Sequence, residues 1–177
     1  LTLENGSAST PALAFRDDLN TGIYSAENDK FNVATAGVER LAIGGTVCVF
    51  NDTGADTDFR VEGSSEQNLF RVDASTNRIG VAIAAPLAKV HLFGSGGQEA
   101  RLLIEGESGA DPYINFLAND TQHFSLGIDD SDSDSFKLSK HSALGTNDFL
   151  VITTSGFVLA GSTSTANNGR IQGFIAH

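Results

Sequence analysis

The chain has 177 residues, of which 40% are hydrophobic, with 12 Phe, 19 Gly and neither Trp nor Met. Its 22 acidic residues outnumber its 11 Lys and Arg residues, which gives a formal net charge of -11. This balance argues against nucleic-acid binding, which needs a basic surface, and against electrostatic attachment to anionic membranes. No apolar run approaches the roughly 18 residues that a membrane-spanning helix requires.

Apolar residues alternate with polar ones along most of the chain, which is the pattern of half-buried β-strands. In chain order, the alternating runs lie at residues 31–34, 41–43, 59–62, 70–73, 78–83 and 124–129. Each run is about as long as an average strand. The best helical signal, at residues 82–90, is short and is interrupted by Pro86. The sequence therefore predicts an all-β chain.

Three segments share one plan of strand, small polar turn and strand, namely residues 31–43, 70–83 and 150–161. Each turn contains Gly or Asn, for which a positive φ costs little. Four parts follow from this organisation: an N-terminal β module at residues 1–50, a β-hairpin repeat module at 51–88, a larger C-terminal β module at 89–162, and a polar tail or start of a further strand at 163–177.

The repeats predict self-association. A lone hairpin is marginally stable in water. The few large apolar side chains of each hairpin, at about 25 cal/mol per Å² buried, do not offset about 1–2 kcal/mol per residue of backbone ordering. Because the repeats differ in length, unlike those of a regular solenoid, we expect identical chains to supply the missing partners. The residues expected in the shared core are Phe31, Phe59, Phe70, Ile79, Val81 and Ile83.

The lack of methionine and the presence of a single cysteine each lead to an expectation. The absence of Met predicts that the chain is a processed product or a piece of a longer one. The one cysteine, Cys48, lies in an apolar run at residues 46–50 and has no partner for an internal disulfide. We expect it to be a small buried strand residue rather than a reactive thiol.

Residues 7–43 resemble a module that is common in tail fibres and related fibre-like proteins of tailed bacteriophages. The elements that carry the resemblance are the motifs LNTGIY at residues 19–24 and TAGVERL at residues 35–41. Residues 77–92 are similar to a recurring link of the same family, N-x-V-G-I-G-T-x-x-P-x-x-x-L-x-V, with Ala82 in place of its second glycine. Residues 124–148 resemble a further domain of these fibres.

The resemblance implies an elongated string of β-hairpin or small β-sandwich modules, intertwined as a homotrimer. It implies a structural virion protein in the tail or another external appendage, where a tail-fibre segment mediates host-surface attachment as a trimeric rod. The implied partners are the chain itself, other phage tail or virion proteins, and a host-surface glycan or protein, with neither nucleic acid nor membrane insertion. Two alternatives stay open: a head or baseplate-attached fibre without a receptor role, and a polysaccharide-degrading tailspike.

Two places in the sequence offer side chains that can bind metal ions. The acidic run from Asp129 to Asp134 offers carboxylates to Ca²⁺, but an EF-hand loop needs Gly and Glu where Ser135 and His141 stand. We therefore favour a solvated hairpin tip between two strands. In a symmetric trimer, a histidine within a strand meets its own copies on the axis, and His91 and His123 are the candidates for such an ion site.

Two further patterns point weakly towards chemistry. Glu105 and Glu107 form a carboxylate pair of the kind used in glycoside cleavage, but the constant short repeat of sugar-degrading β-helices is absent. The run GSGG at residues 94–97 lacks the G-K-[ST] of a phosphate-binding loop and is interpreted as a linker. We therefore predict no catalytic, cofactor-binding or metal-binding residue, no cofactor and no enzymatic activity.

Overall fold

A computed structural model describes residues 2–119 and 122–161. The chain is all-β, as the alternating pattern predicted, and its described part holds no α-helix. The strands form three sheets, named here the N-terminal, middle and C-terminal sheets. The chain divides into two compact units, with the boundary between residues 102 and 103. The tail predicted at residues 163–177 lies outside the described residues.

The N-terminal sheet is an antiparallel meander whose five strands follow chain order. They are β1 (Leu13–Phe15), β2 (Asp18–Tyr24), β3 (Phe31–Thr35), β4 (Val38–Ile43) and β5 (Cys48–Phe50). The β3–β4 hairpin turns at Ala36 and Gly37, whose φ angles are 52° and 74°. Two successive positive φ angles give a type I′ turn, whose twist matches that of the strands. Gly22 is required in β2 because a Cβ there would lie 2.0 Å from the carbonyl oxygen of Leu13.

The middle sheet contains four strands, β6 (Phe59–Val61), β7 (Phe70–Asp73), β8 (Arg78–Val81) and β9 (Val90–Leu92). The first three are antiparallel, whereas β9 pairs with β8 in parallel. β8 falls within the predicted 51–88 module and β9 within the predicted 89–162 module. The connection between them folds back over β8, where Pro86 lies so close that a Cβ on Gly80 would be 3.0 Å from the proline ring.

Ala82, directly after β8, has a φ of 58°, a left-handed conformation that disfavours any residue with a Cβ. It occupies the position of the second glycine in the phage-fibre link. We expect Ala82→Gly to raise the free energy of unfolding by about 0.5–1 kcal/mol, because the strain relieved exceeds the entropy that glycine adds to the unfolded chain. Chemical denaturation measures the change, with Ala84→Gly as the control. An equal loss of stability in both variants would contradict the strain at Ala82.

The C-terminal sheet is a second five-stranded antiparallel meander. Its strands are β10 (Tyr113–Ala118), β11 (Gln122–Asp129), β12 (Ser135–Ser139), β13 (Asp148–Ile152) and β14 (Val158–Ala160). A 3₁₀ turn, Asp130–Asp132, connects β11 to β12. Each of the three segments predicted to share one plan is an antiparallel hairpin, namely β3–β4, β7–β8 and β13–β14.

Burial within the chain is unusual for a β protein. The buried hydrophobic residues of the described part are Tyr24, Ala34, Ala42, Leu144, Val151 and Leu159. The buried polar or charged residues are more numerous: Asn32, Asp73, Ser125, Asp129, Ser135, Lys137, Ser139 and Asp148. Six of these eight polar residues belong to the C-terminal sheet, whereas the buried residues of the N-terminal sheet are Tyr24, Asn32, Ala34 and Ala42.

The predicted core residues are not buried by their own chain. Phe31, Phe59 and Phe70 are 45%, 37% and 36% exposed. Ile79 and Val81 in β8 are half-buried, as is Ile83 in the loop that follows it. The prediction placed these residues in a core shared between identical chains, and in the single chain the phenylalanines and the β8 residues lie on sheet faces that no described part of the chain covers. Their burial by other chains stays a prediction.

Candidate functional site

Each sheet has one face of large apolar side chains that the described chain leaves uncovered. Strand pairing places these side chains next to one another, in rows that run across the strands of a sheet. The row of the N-terminal sheet is Leu13, Ile23, Val33, Leu41 and Phe50. The row of the middle sheet is Phe59, Val72, Ile79 and Val90. Every member of both rows is half-buried or exposed.

The apolar faces of the N-terminal and middle sheets, which belong to the same unit, meet through aromatic contacts. The ring of Phe50 lies 5.1 Å from that of Phe59, and the ring of Phe59 lies 6.4 Å from that of Phe70. Tilted and edge-on ring pairs at such distances are favourable beyond the area they bury. The first unit therefore has one continuous apolar surface.

The apolar face of the C-terminal sheet is the set of side chains in three rows. The middle row crosses all five strands with Ile114, Leu126, Leu138, Leu150 and Ala160. On either side of it lie the pair Phe116 and Phe124, and the row Ile128, Phe136, Ile152 and Val158. All of these side chains are half-buried or exposed.

The opposite face of the N-terminal sheet holds a hydrogen-bonded group of three residues. The Tyr24 hydroxyl donates to Glu39, and Asn32 Nδ2 donates to the same carboxylate at 2.6 Å. Burial of the phenol, together with the hydrogen bond to Glu39 and its charge, raises the pKa of Tyr24 to about 12. Tyr24 closes the LNTGIY motif and Glu39 belongs to the TAGVERL motif, so the two motifs meet here.

Two more hydrogen bonds connect the same motifs at their turns. The backbone N–H of Gly37 donates to the carbonyl oxygen of Asn20 at 2.8 Å. The backbone N–H of Ala36 donates to Thr21 Oγ1 at 3.0 Å. These motif residues therefore hold one hairpin against the neighbouring strand, which is a structural role.

Replacing Tyr24 by Phe is expected to lower the free energy of unfolding by about 1–3 kcal/mol, because the half-buried Glu39 carboxylate loses a donor. Chemical denaturation measures the loss, and Tyr113→Phe, at the other tyrosine, is the matched control. An absorbance titration of the Tyr113→Phe variant isolates Tyr24, and its midpoint is expected at about 12. A midpoint at the ordinary value of 10.0 would contradict the burial of this phenol.

The polar face of the C-terminal sheet encloses Lys137, whose side chain is 5% exposed. Its Nζ lies 2.8 Å from Asp129 Oδ2, 2.7 Å from Asp132 Oδ2 and 3.4 Å from Asp148 Oδ2. Ser139 donates a hydrogen bond to Asp148 Oδ1, whereas the buried Asp148 Oδ2 has no hydrogen-bond partner among the described residues. The lysine ammonium is therefore the group that offsets the negative charge inside this face.

The charges of this lysine cluster are mutually stabilised. Burial by itself lowers the pKa of Lys137, but the hydrogen bonds to Asp129 and Asp132 and the charge of Asp148 outweigh it, so the pKa lies above its usual value. Burial likewise raises the pKa of Asp129, but hydrogen bonds from Lys137 and Ser131 outweigh it and hold that pKa below its usual value. General acid–base catalysis needs a pKa near the working pH. The cluster is therefore suited to holding the fold and not to proton transfer.

The acidic run at residues 129–134 forms the tip of the β11–β12 hairpin. Asp129 Oδ1 accepts hydrogen bonds from Ser131 Oγ at 2.7 Å and from the Asp132 backbone N–H at 3.1 Å. Its other oxygen contacts the Lys137 ammonium, so the positive charge among these carboxylates comes from a side chain. Among residues 2–119 and 122–161, no group of three or more His, Cys, Asp or Glu side chains is arranged to hold a metal ion.

The two candidate histidines lie on the faces opposite the apolar rows. His91 is in register with Gly80, and its Nδ1 accepts a hydrogen bond from the Leu87 backbone N–H at 3.2 Å. His123 is in register with Leu117, and its Nδ1 is buried with no hydrogen-bond partner in the part of the chain that the structure describes. An assembly that covers the apolar faces would place both imidazoles away from its centre.

The remaining candidates are not brought together into a site. Glu105 and Glu107 are exposed in the segment before β10. The GSGG run forms a turn in which the Gln98 backbone N–H donates to the Ser95 carbonyl oxygen at 2.9 Å.

Cys48 is exposed, so the prediction of a buried cysteine is wrong. It opens β5 at the edge of the N-terminal sheet, where its register partner is Ile43, which in turn pairs with Phe31. Cys48 therefore lies on the uncovered apolar face of that sheet.

Sequence reasoning missed the lysine cluster. The sequence feature that indicates this cluster is the strand SFKLS at residues 135–139. Its polar residues alternate with Phe136 and Leu138, and this alternation places a lysine at the centre of the polar side. The partner Asp148 comes from the next strand, and only the β12–β13 register, with its irregularity beside Ser139, identifies it.

No family model matches the chain, and no curated protein matches it. None of the described residues belongs to a helix with the length and apolar character needed to cross a membrane. The likeness to phage fibres therefore stays a prediction that depends on the motifs named above.

Proposed function

We propose that the chain is a structural segment of a fibre-like appendage of a tailed-bacteriophage virion, where it forms a homotrimeric rod that takes part in attachment to the host surface. One observation carries the proposal: each sheet has one face of large apolar side chains that the described chain leaves exposed or half-buried. Contiguous apolar surface of this kind marks an interaction site in a soluble protein. Side-by-side copies of the chain would cover it.

The local structure of the phage-like motifs supports the same proposal. Their residues close hairpins and connect neighbouring strands, as the Tyr24–Glu39 hydrogen bond does. A rod needs residues of this kind, whereas an enzyme needs groups poised for reaction. The ionised cluster around Lys137 is likewise a stabilising feature.

Attachment by such a rod is mechanical and adhesive. Three identical chains present three copies of each loop tip, and simultaneous contact of several copies raises the overall affinity without any new contact in a single copy. The proposed partners are the chain itself, other tail or virion proteins, and a glycan or protein of the host surface.

Gold-labelled antibodies against the chain, imaged on intact virions by electron microscopy, test this function. We expect label on thin external appendages, and label confined to the capsid or to no part of the virion would contradict the proposal. Adsorption of phage to host cells in the presence of excess purified chain tests the receptor role. Slower adsorption supports that role, and adsorption unchanged from that with an unrelated acidic protein would assign the chain to an appendage without it.

A further inference from the structure

The apolar face of the C-terminal sheet has a distribution of charge that selects its partner. We infer that this face is the surface through which the second unit contacts a second copy of the same chain, an inference that rests on the proposed function. The ionisable side chains of the five strands lie on the polar face. They include His123, Asp129, Lys137 and Asp148. The three apolar rows contain none.

Charge explains why this matters for a second copy in particular. Each chain carries a formal net charge of -11, so two copies repel each other at most orientations. A contact through the charge-free face brings apolar side chains together and keeps the carboxylates of the polar face on the far side of the sheet. That orientation minimises both the repulsion and the cost of desolvating charges.

The size of the face also fits a specific contact. It offers ten large apolar side chains in three rows. With about 150–200 Å² for each and roughly a third of that exposed, the face offers about 500–700 Å², close to the 800 Å² per partner of a standard interface. Phe116, which is 55% exposed, and Ile114, which is 39% exposed, lie on the edge strand β10.

The other side of the sheet is already occupied by the chain itself. The loop between β12 and β13 lies over the polar face, where Leu144 is buried and a Cβ on Gly145 would be 2.9 Å from Asp129 Oδ2. The Lys137 ammonium beneath it is paired with three carboxylates of the same chain. A partner of the C-terminal sheet therefore has the apolar face as its place of contact.

Sedimentation velocity over a range of concentrations tests the inference with Phe116→Asp and a matched control, Phe157→Asp. Phe157 is 61% exposed but lines a cleft with Asp132 and Ser135, on the polar side of the sheet. We expect Phe116→Asp to raise the concentration for half-assembly at least about tenfold, because association would bury a charge, whereas Phe157→Asp stays near the wild type. Ile114→Asp is a second face variant, and circular dichroism confirms that each variant keeps its strands.

The outcomes separate this inference from the proposed function. Folded Phe116→Asp and Ile114→Asp chains that assemble as the wild type does would overturn the assignment of the face and leave the homo-oligomer standing. A wild-type chain that stays monomeric at every concentration would overturn both. Equal weakening by Phe116→Asp and Phe157→Asp would also overturn the assignment, because charge alone, and not its position, would then govern assembly.

Discussion

Replacing Lys137 by Met is expected to lower the free energy of unfolding of the C-terminal unit by about 3–5 kcal/mol, the usual effect of removing one partner from a buried ion pair. The variant keeps the length and apolar stem of the side chain and removes the ammonium. Asp129 and Asp148, whose side chains are 4% and 1% exposed, would then lack a compensating positive charge.

Lys140→Met is the matched control, because Lys140 is an exposed lysine just beyond the end of the same strand. Chemical denaturation followed by circular dichroism measures both variants, and the control is expected to change stability by less than about 0.5 kcal/mol. A Lys137→Met variant as stable as the control would show that the cluster does not hold the sheet together.

The pH dependence of stability provides a second test, because the wild type and Lys137→Met should change in opposite directions as the pH falls. The pKa of Asp129 is lowered in the folded chain, so its stabilising contribution is complete above its unfolded value of about 4 and is lost as the pH falls through the lower folded value. The wild type should therefore lose stability on acidification. Without the ammonium, burial of the Asp129 carboxylate favours its protonated form, so Lys137→Met should gain stability as the pH falls from about 6 to 4. Parallel pH profiles would contradict this explanation.

Alkylation of Cys48 is expected to be at least about 100-fold slower in the assembled protein than in the dissociated, unfolded chain, because reaction requires an opening of the interface. The expectation follows from two facts of position. Cys48 is exposed in the single chain, and it shares the apolar face of the N-terminal sheet with Ile43 and Phe31. If identical chains cover that face, they also cover the thiol.

A relocated thiol controls for the intrinsic reactivity of cysteine. In a Cys48→Ser background, Ser155→Cys places the thiol in the exposed turn between β13 and β14. That thiol should react equally fast in native and unfolded protein when both are followed by mass spectrometry. Equal native rates for Cys48 and the relocated thiol would show that the face of the N-terminal sheet stays open to solvent.

The hairpins were predictable because their signals are local. Residues 31–43 alternate apolar and polar side chains on both strands, and the turn between them has Gly37 where a positive φ is needed. Residues 150–161 carry the same information in a turn that includes Gly156, with a φ of 84°. Pairings across longer connections were not predictable in this way. The parallel pairing of β9 with β8 depends on how the intervening loop folds back, with Pro86 against Gly80.

Burial was harder to predict than strand position. Alternation identifies which face of a strand is apolar, but it does not say whether the same chain covers that face. Cys48 was therefore expected in a buried strand, yet it is exposed. Phe31 and Phe59, which were expected in a core shared between chains, are exposed in the single chain. The polar cluster was missed for a related reason, since the partners of Lys137 are set by strand register and by a turn, and neither is a pattern of neighbouring residues.

The central claim is that identical chains cover the apolar faces that each chain leaves open. Multi-angle light scattering on the purified chain, eluted from a size-exclusion column at several concentrations, tests it most directly. We expect a single species at about three times the chain mass of 18.5 kDa. A monodisperse species at 18.5 kDa throughout that range would contradict it.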